Sequence, residues 1–182
     1  MTDSKAQGQK VRLRELVLSA FFAAMVTVSI LIFRIPTPGQ GIIHFGDAMI
    51  YLAACFLPKK YAFVAVGVGG AMANILGGIP IWAPATLIIK PLIAIWFTNK
   101  GKILTKWHIA ALVIAGVVNT GLYYIYGALV IFGFSSAYLV SSLWGGLSQS
   151  GGSAIIFVLM AAALDKMQIK KHLGLSTFQG AK

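Results

Sequence analysis

The chain has 182 residues, 58% of them hydrophobic and only 10% charged, with a mean hydropathy of +0.85. A soluble domain carries about 25% charged residues, so a soluble fold is excluded and a single membrane-embedded unit is expected. Fifteen Lys and Arg against four Asp and Glu give a net charge of +11, which in a soluble chain would point to nucleic acid. The single Cys, at 55, excludes an intramolecular disulfide.

A basic tail, 1–13, and an apolar run over 14–34 share the layout of a secretory signal peptide. The run exceeds the roughly 7–15 residues of a signal core, no cleavage-like small-residue pair ends it, and further apolar runs follow. It is therefore read as an uncleaved transmembrane helix. Five more spans are expected at about 42–57, 61–77, 84–98, 107–132 and 146–165, followed by a tail over 166–182, each near the length that crosses a bilayer core of about 30 Å. The second and fourth are short and carry a charge each, Asp47 and Lys90, as expected of tilted or interrupted helices lining a wet cavity rather than facing lipid. Pro36 to Gly41, Pro58, Gly77 to Pro80 and Asn99 to Gly101 punctuate the boundaries.

The cations sort to one side of such a bundle. Lys5, Lys10, Arg12 and Arg14 precede the first span, Lys59 and Lys60 follow the second, and Lys100, Lys102 and Lys106 follow the fourth. Lys166, Lys170, Lys171 and Lys182 follow the sixth. Arg34 and Lys90 are the exceptions. By the positive-inside rule both termini are cytoplasmic, the charge surplus reports topology, and no nucleic-acid partner is expected. The expected fold is an all-α integral membrane protein, a six-transmembrane-helix bundle in one domain.

In that topology His44 and Asp47 begin the second span, Asn74 ends the third on the outer side, and Trp82 lies on the outer loop before the fourth. Lys90 falls roughly 9 Å below the outer end of its helix and Asn119 roughly 17 Å above the inner surface, so their depths agree. Asn119, Tyr123 and Tyr126 share a helix face, with Tyr124 beside it. Trp144 stands just before the sixth span and Ser148, Gln149 and Ser153 in its outer half, while 154–164 has no polar side chain. The pattern implies an outward-opening pocket, closed over by the Pro/Gly-rich first outer loop. Aromatic faces and a few placed hydrogen-bonding groups suit a flat heterocycle.

Several of these residues have a plainer structural role open to them. Lys90 and Asp47 can pair with each other or with a ligand, and Asp47 can cap its helix. His44 can be a loop residue, Asn74 and Asn119 can join helices, and the Tyr and Trp residues can belong to an interfacial belt. Trp107 and His108 are read as inner-boundary anchors and Arg34 as a surface residue. On the first span Ser19, Ala23 and Thr27, and separately Ala20 and Ala24, form small-residue stripes, and Ala65, Gly69 and Ala73 form another on the third. Each can pack internally or dock a membrane subunit.

The stretch from Ile43 through His44, Gly46, Asp47 and Tyr51 to Ala54, then Pro58-Lys59-Lys60-Tyr61, then Trp82-Ala83-Pro84-Ala85-Thr86-Leu87-Ile88-Ile89-Lys90 resembles the substrate-binding S components of energy-coupling-factor (ECF) vitamin transporters. Ala20 to Ala24 is similar to that family's Ala-x-x-x-Ala on the first helix. The resemblance implies a subunit of the bacterial cell membrane that captures a micronutrient outside and delivers it by toppling against a transmembrane coupling subunit. Two cytoplasmic ATPases would hydrolyse the ATP, and no cofactor of the chain's own is expected. It also implies a pocket built mainly from the last three helices and the outer loops, with Ala20 and Ala24 facing the coupling subunit. The expected site residues are His44, Asp47, Asn74, Trp82, Lys90, Asn119, Tyr123, Tyr126, Trp144 and Gln149. Among members of the family the sequence is most similar to the queuosine-precursor type, with pyridoxine and riboflavin as other cargo classes. A membrane-embedded enzyme using Asp47, His44 and Lys90 is the competing function. A channel is disfavoured by the apolar inner half of the sixth span.

Overall fold

The computed structural model describes residues 2–36 and 42–175. Residues 37–41, expected to close over the pocket, lie outside the described residues, as does the tail beyond 175. Helix α1 (Thr2–Ile32) runs without a break through the segment read as a basic tail, and a two-residue antiparallel pair follows it, β1 (Ile35–Pro36) with β2 (Ile42–Ile43). Then come α2 (Gly46–Phe56), α3 (Lys59–Leu76), a 3-10 turn (Pro80–Trp82) and α4 (Ala83–Ala94). Helix α5 (Lys106–Gly127) continues as a π-helical turn (Ala128–Phe132), and α6 (Ser136–Lys166) and a short α7 (Ile169–His172) follow.

Local chemistry sets these boundaries. Leu57, held extended by the proline that follows it, ends α2. Gly78 takes a positive φ of 77° just beyond α3, and Gly133, at 71°, ends the π turn. Pro84 occupies the first turn of α4, where its missing N–H is harmless. Thr105 caps α5 by accepting from the His108 N–H, and Ser135 caps α6 by accepting from Tyr138. That Ser135 cap starts α6 well before the span read at 146–165, so Trp144 lies inside the helix rather than ahead of it.

Among the described residues, three helices are long and apolar enough to cross a membrane, Arg12–Ile32, Lys106–Phe132 and Ser136–Lys166. By contrast α2 and α4 extend only about 16–18 Å at 1.5 Å per residue. The bundle encloses the first of them, since every residue of α2 is buried, between α1, α3, α4 and α6, whereas α4 buries only the face of Thr86, Ile89, Lys90 and Ile93 and leaves Leu87, Ile88 and Leu92 exposed. Around α2 the helices pack in the order α1, α3, α4, α5, α6. Helix α3 makes this possible with small residues on two faces. Thr27 of α1 donates to the Gly69 carbonyl at 2.9 Å, and a Cβ at Gly70 would sit 2.7 Å from Thr86 Cγ2 and 3.3 Å from the Lys90 stem.

The polarity is inverted relative to a soluble protein. Val17, Phe21, Val64, Val113, Val117, Leu129 and Leu159 are exposed, whereas Asp47, Lys90, His108, Asn119, Gln149 and Ser153 are buried. A hydrocarbon solvent accepts the first group and forces the second to find partners inside.

At the opposite end from the short strands, the segment joining α4 to α5 is strapped by side chains. Asp165 accepts from the Ile103 and Leu104 N–H groups at 2.9 and 2.8 Å, and Lys170 donates to the carbonyls of Asn99 and Gly101. Burial pushes the Lys170 ammonium below its ordinary pKa, with Cys55 and Asp165 opposing the shift. His108 is fully buried rather than an interfacial anchor. Its Nε2 accepts from the Thr98 N–H at 3.1 Å and its Nδ1–H donates to the Ile103 carbonyl at 2.6 Å, which fixes a neutral ring. Trp107 does remain half exposed, donating to the Trp96 carbonyl.

Candidate functional site

Four helices each contribute one side chain to a buried polar cluster. Lys90 of α4 donates from Nζ to Asp47 Oδ1 of α2 at 2.6 Å and to Asn119 Oδ1 of α5 at 3.0 Å. Gln149 of α6 donates from Nε2 to Asp47 Oδ2 at 2.8 Å. Lys90 is 1% and Asp47 0% exposed, and the ammonium lies 5.0 Å from the Tyr123 ring centroid. A lone charge here would be prohibitive. The pair, with amides occupying further positions on both ions, is tolerated.

A second set of bonds joins this cluster to aromatic groups toward the end of the bundle that carries the short strands. Thr86, one turn before Lys90 on α4, donates its hydroxyl to the Trp82 carbonyl at 2.9 Å. A hydroxyl has one proton and two lone pairs, so Thr86 must accept from both Asn74 Nδ2, at 2.5 Å, and the Tyr123 O–H, at 2.7 Å. Trp82 packs on Tyr123 and Tyr126 with centroids 5.8 and 5.6 Å apart, and the Tyr126 hydroxyl donates to the Ile81 carbonyl. Tyr138 of α6 closes on the same place from the other side. Gly127 admits both rings, since a Cβ there would stand 2.7 Å from Tyr138 Cζ and 2.9 Å from Trp82 Cη2.

This arrangement of a short central helix, buried charges and an aromatic end coincides with a match in sequence. Residues 10–166 match the family described as the ECF-type riboflavin transporter, S component. The chain belongs to this family. It is thus a multi-pass membrane protein and the substrate-specific subunit of an ECF transporter, a transport subunit rather than an enzyme. Its partners are the coupling and ATPase subunits of such a transporter and a small-molecule substrate. A relative in Pyrococcus woesei, described as an uncharacterized protein in the gap 3′ region, is 37% identical over 139 residues, covering 72% of this chain and 88% of the relative.

Of the residues expected to form the S component's site, Asp47, Lys90, Asn119, Tyr123 and Gln149 meet in one cluster, with Asn74 joined through Thr86 and Trp82 and Tyr126 above. His44 stands at the start of α2, where its Nδ1 accepts from the Gly46 N–H at 3.2 Å and its carbonyl from Ser153, so the imidazole supports the helix entry. Trp144 does not join. It is 73% exposed on an outward face of α6, because the helix already runs through this position.

Other expectations are corrected too. Arg34 is no free surface cation: its Nη1 donates to the Gly77 carbonyl at 2.8 Å, closing the C-terminal end of α3. The Ala65, Gly69 and Ala73 stripe on α3 is buried, with Gly69 against Ala23 of α1, and offers no docking face. Thr86 was missed by the sequence reading. Its spacing of four from both Trp82 and Lys90 puts the three on one face, and that spacing is the signal that could have found it.

Proposed function

We propose that this S component captures a planar heterocycle of the riboflavin class from the outer side and releases it inward by toppling. The bundle would have six spans and both termini cytoplasmic, with α1 docked on the coupling subunit while two ATPases hydrolyse ATP. The observation that carries the cargo assignment is the convergence of α2, α4, α5 and α6 on one buried polar cluster beneath Trp82, Tyr123 and Tyr126. Aromatic faces supply stacking and apolar burial, and fixed amides supply orientation, the division of labour a heterocycle site requires. Among riboflavin, pyridoxine and queuosine-precursor cargoes, the family description favours the first. His44, Asn74 and Thr86 act as supports on this reading, holding the start of α2 and the Trp82 turn. Trp144 has no part in it.

Docking is supported by how α1 divides its faces. Ser19 donates to the Tyr61 carbonyl and Thr27 to Gly69, so the Ser19, Ala23 and Thr27 stripe is occupied by α3. Ala20 and Ala24 are exposed, between Val17 and Val28 on a face that no other described element covers.

Titration of the purified subunit with riboflavin in the absence of nucleotide, followed by quenching of flavin fluorescence, tests the cargo. A single saturable site is expected, weakened by Trp82→Ala and by Asn119→Ala. No saturable quenching, or affinity untouched by both substitutions, would reject it.

A further inference from the structure

We propose that the segment from Gln168 to Leu175 is a latch, with Lys170 as its catch, that shuts the seam between α1 and α6 at the end of the bundle remote from the short strands and opens while the helices stay folded. The seam exists because α2 takes the centre. It packs on both α1 and α6, and among the described residues those two make at most marginal contact with one another. At the remote end the chain itself crosses the gap. Ile169 and Leu175 pack against the buried core, and Leu175 shares a narrow cleft with Arg14 and Leu18 of α1 and with Leu57 and Pro58 beyond α2. A Cβ on Gly174 would stand 3.8 Å from Arg14 Nη1, so the segment that leaves α6 ends against α1.

The latch is held firmly at one point and slightly elsewhere. Lys170 Nζ donates to the Asn99 carbonyl at 3.1 Å and the Gly101 carbonyl at 3.0 Å, and lies 5.8 Å from the Phe56 ring centroid. Bonds from an ionised donor are stronger than neutral ones. Around that point Lys171, His172 and Leu173 are exposed, and α7 is a single turn, too short to hold itself. Gln168, the hinge ahead of it, is the one non-glycine residue with a positive φ, 51°, among the described residues. A residue with a Cβ is disfavoured there, and the turn is kept because the Gln168 carbonyl accepts from the Lys171 and His172 N–H groups at 2.9 and 3.2 Å. Release of the catch therefore relieves the hinge as well. Asp165 precedes the hinge and stays with α6, so its bonds to the Ile103 and Leu104 N–H groups survive opening. A unit with few anchors, tied to a body that keeps its own, opens locally.

Behind the latch lies Cys55. It is fully buried, 3.8 Å from His108 Nδ1, next in sequence to the Phe56 ring that Lys170 covers, and within electrostatic reach of Lys170. It is also the sole cysteine, so the chain carries its own reporter. A thiol reacts only where water and reagent reach it, which the closed latch prevents and the open one allows.

The test treats the full-length protein in detergent with a charged, water-soluble maleimide. Labelling of Cys55 is followed by intact mass, and hydrogen exchange reports each helix in parallel. Lys170→Met keeps an apolar stem over Phe56 and removes the ammonium, and it is expected to label at least about tenfold faster than the wild type, a factor of ten in opening being about 1.4 kcal/mol. Leu175→Lys, which sets a second cation beside Arg14, is expected to do the same, whereas Lys170→Arg stays close to the wild-type rate. Faster exchange should be confined to 169–175, with α2 unchanged. Equal labelling of the wild type, Lys170→Met and Leu175→Lys, or labelling that quickens only together with exchange in α2, overturns the latch. A fast Leu175→Lys beside a slow Lys170→Met, or an arginine variant as fast as the methionine one, overturns Lys170 as its catch.

Discussion

Replacing Asp47 with Ala is expected to destabilise the protein by about 3–5 kcal/mol, the cost of stranding a buried partner charge, and Lys90→Met is expected to cost a similar amount. Each single change leaves an ion that is 0–1% exposed without its counter-charge, Lys90 with Asn119 and the Tyr123 ring or Asp47 with Gln149. Removing both charges together, as Asp47→Ala with Lys90→Met, restores neutrality and is expected to recover most of the loss. Unfolding of detergent-solubilised protein followed by helical circular dichroism measures all three. The helical content at low temperature should persist in each variant, since the pair joins helices and does not form them. Single variants as stable as the wild type, or a double variant that sums the two losses, would show that the pair carries no net coupling.

Tryptophan at Ala20 and Ala24 together is expected to abolish ATP-driven uptake in cells that carry the partner subunits, while cargo binding by the isolated subunit stays intact. The two alanines are exposed, so the indoles meet none of the described helices and the fold is spared. A docking partner that approaches α1 closely would meet them at once, because small residues four apart set the distance between packed membrane helices. Ala23→Trp is the informative contrast. Ala23 lies against Gly69, so this substitution should harm folding and lose binding as well. Uptake that survives the double Ala20 and Ala24 substitution would remove this face from the docking surface.

The membrane character of the chain was legible in its composition, and the core of the site was legible in the few polar residues placed in apolar runs. Lys90 and Asn119 were assigned the same depth from opposite ends of their helices, and they bond at 3.0 Å. The sequence left open whether Lys90 would face Asp47 or a ligand. Geometry resolves the first part, since the two pair, and that pairing removes Asp47 as a free counter-charge for a cationic cargo.

What the sequence concealed was concealed for physical reasons. Hydropathy marks where a helix enters lipid and not where its backbone begins, so the Ser135 cap was passed over and Trp144 was drawn into the pocket. His108 looked interfacial because it borders a basic, Gly-containing segment. That segment folds back under Asp165 and Lys170 and buries the ring. Arg34 looked free because its partner is a backbone carbonyl 43 positions away, which no side-chain pattern announces. The small-residue stripes on α1 were alike in sequence and parted only when α3 covered one of them.

Native mass spectrometry of the purified chain, without nucleotide or partner subunits, reads the bound cargo itself. A complex of one chain with one planar heterocycle is expected, carried through purification or restored by adding riboflavin, and weakened by Trp82→Ala. A chain that retains no small molecule and takes up none when riboflavin is supplied would contradict it.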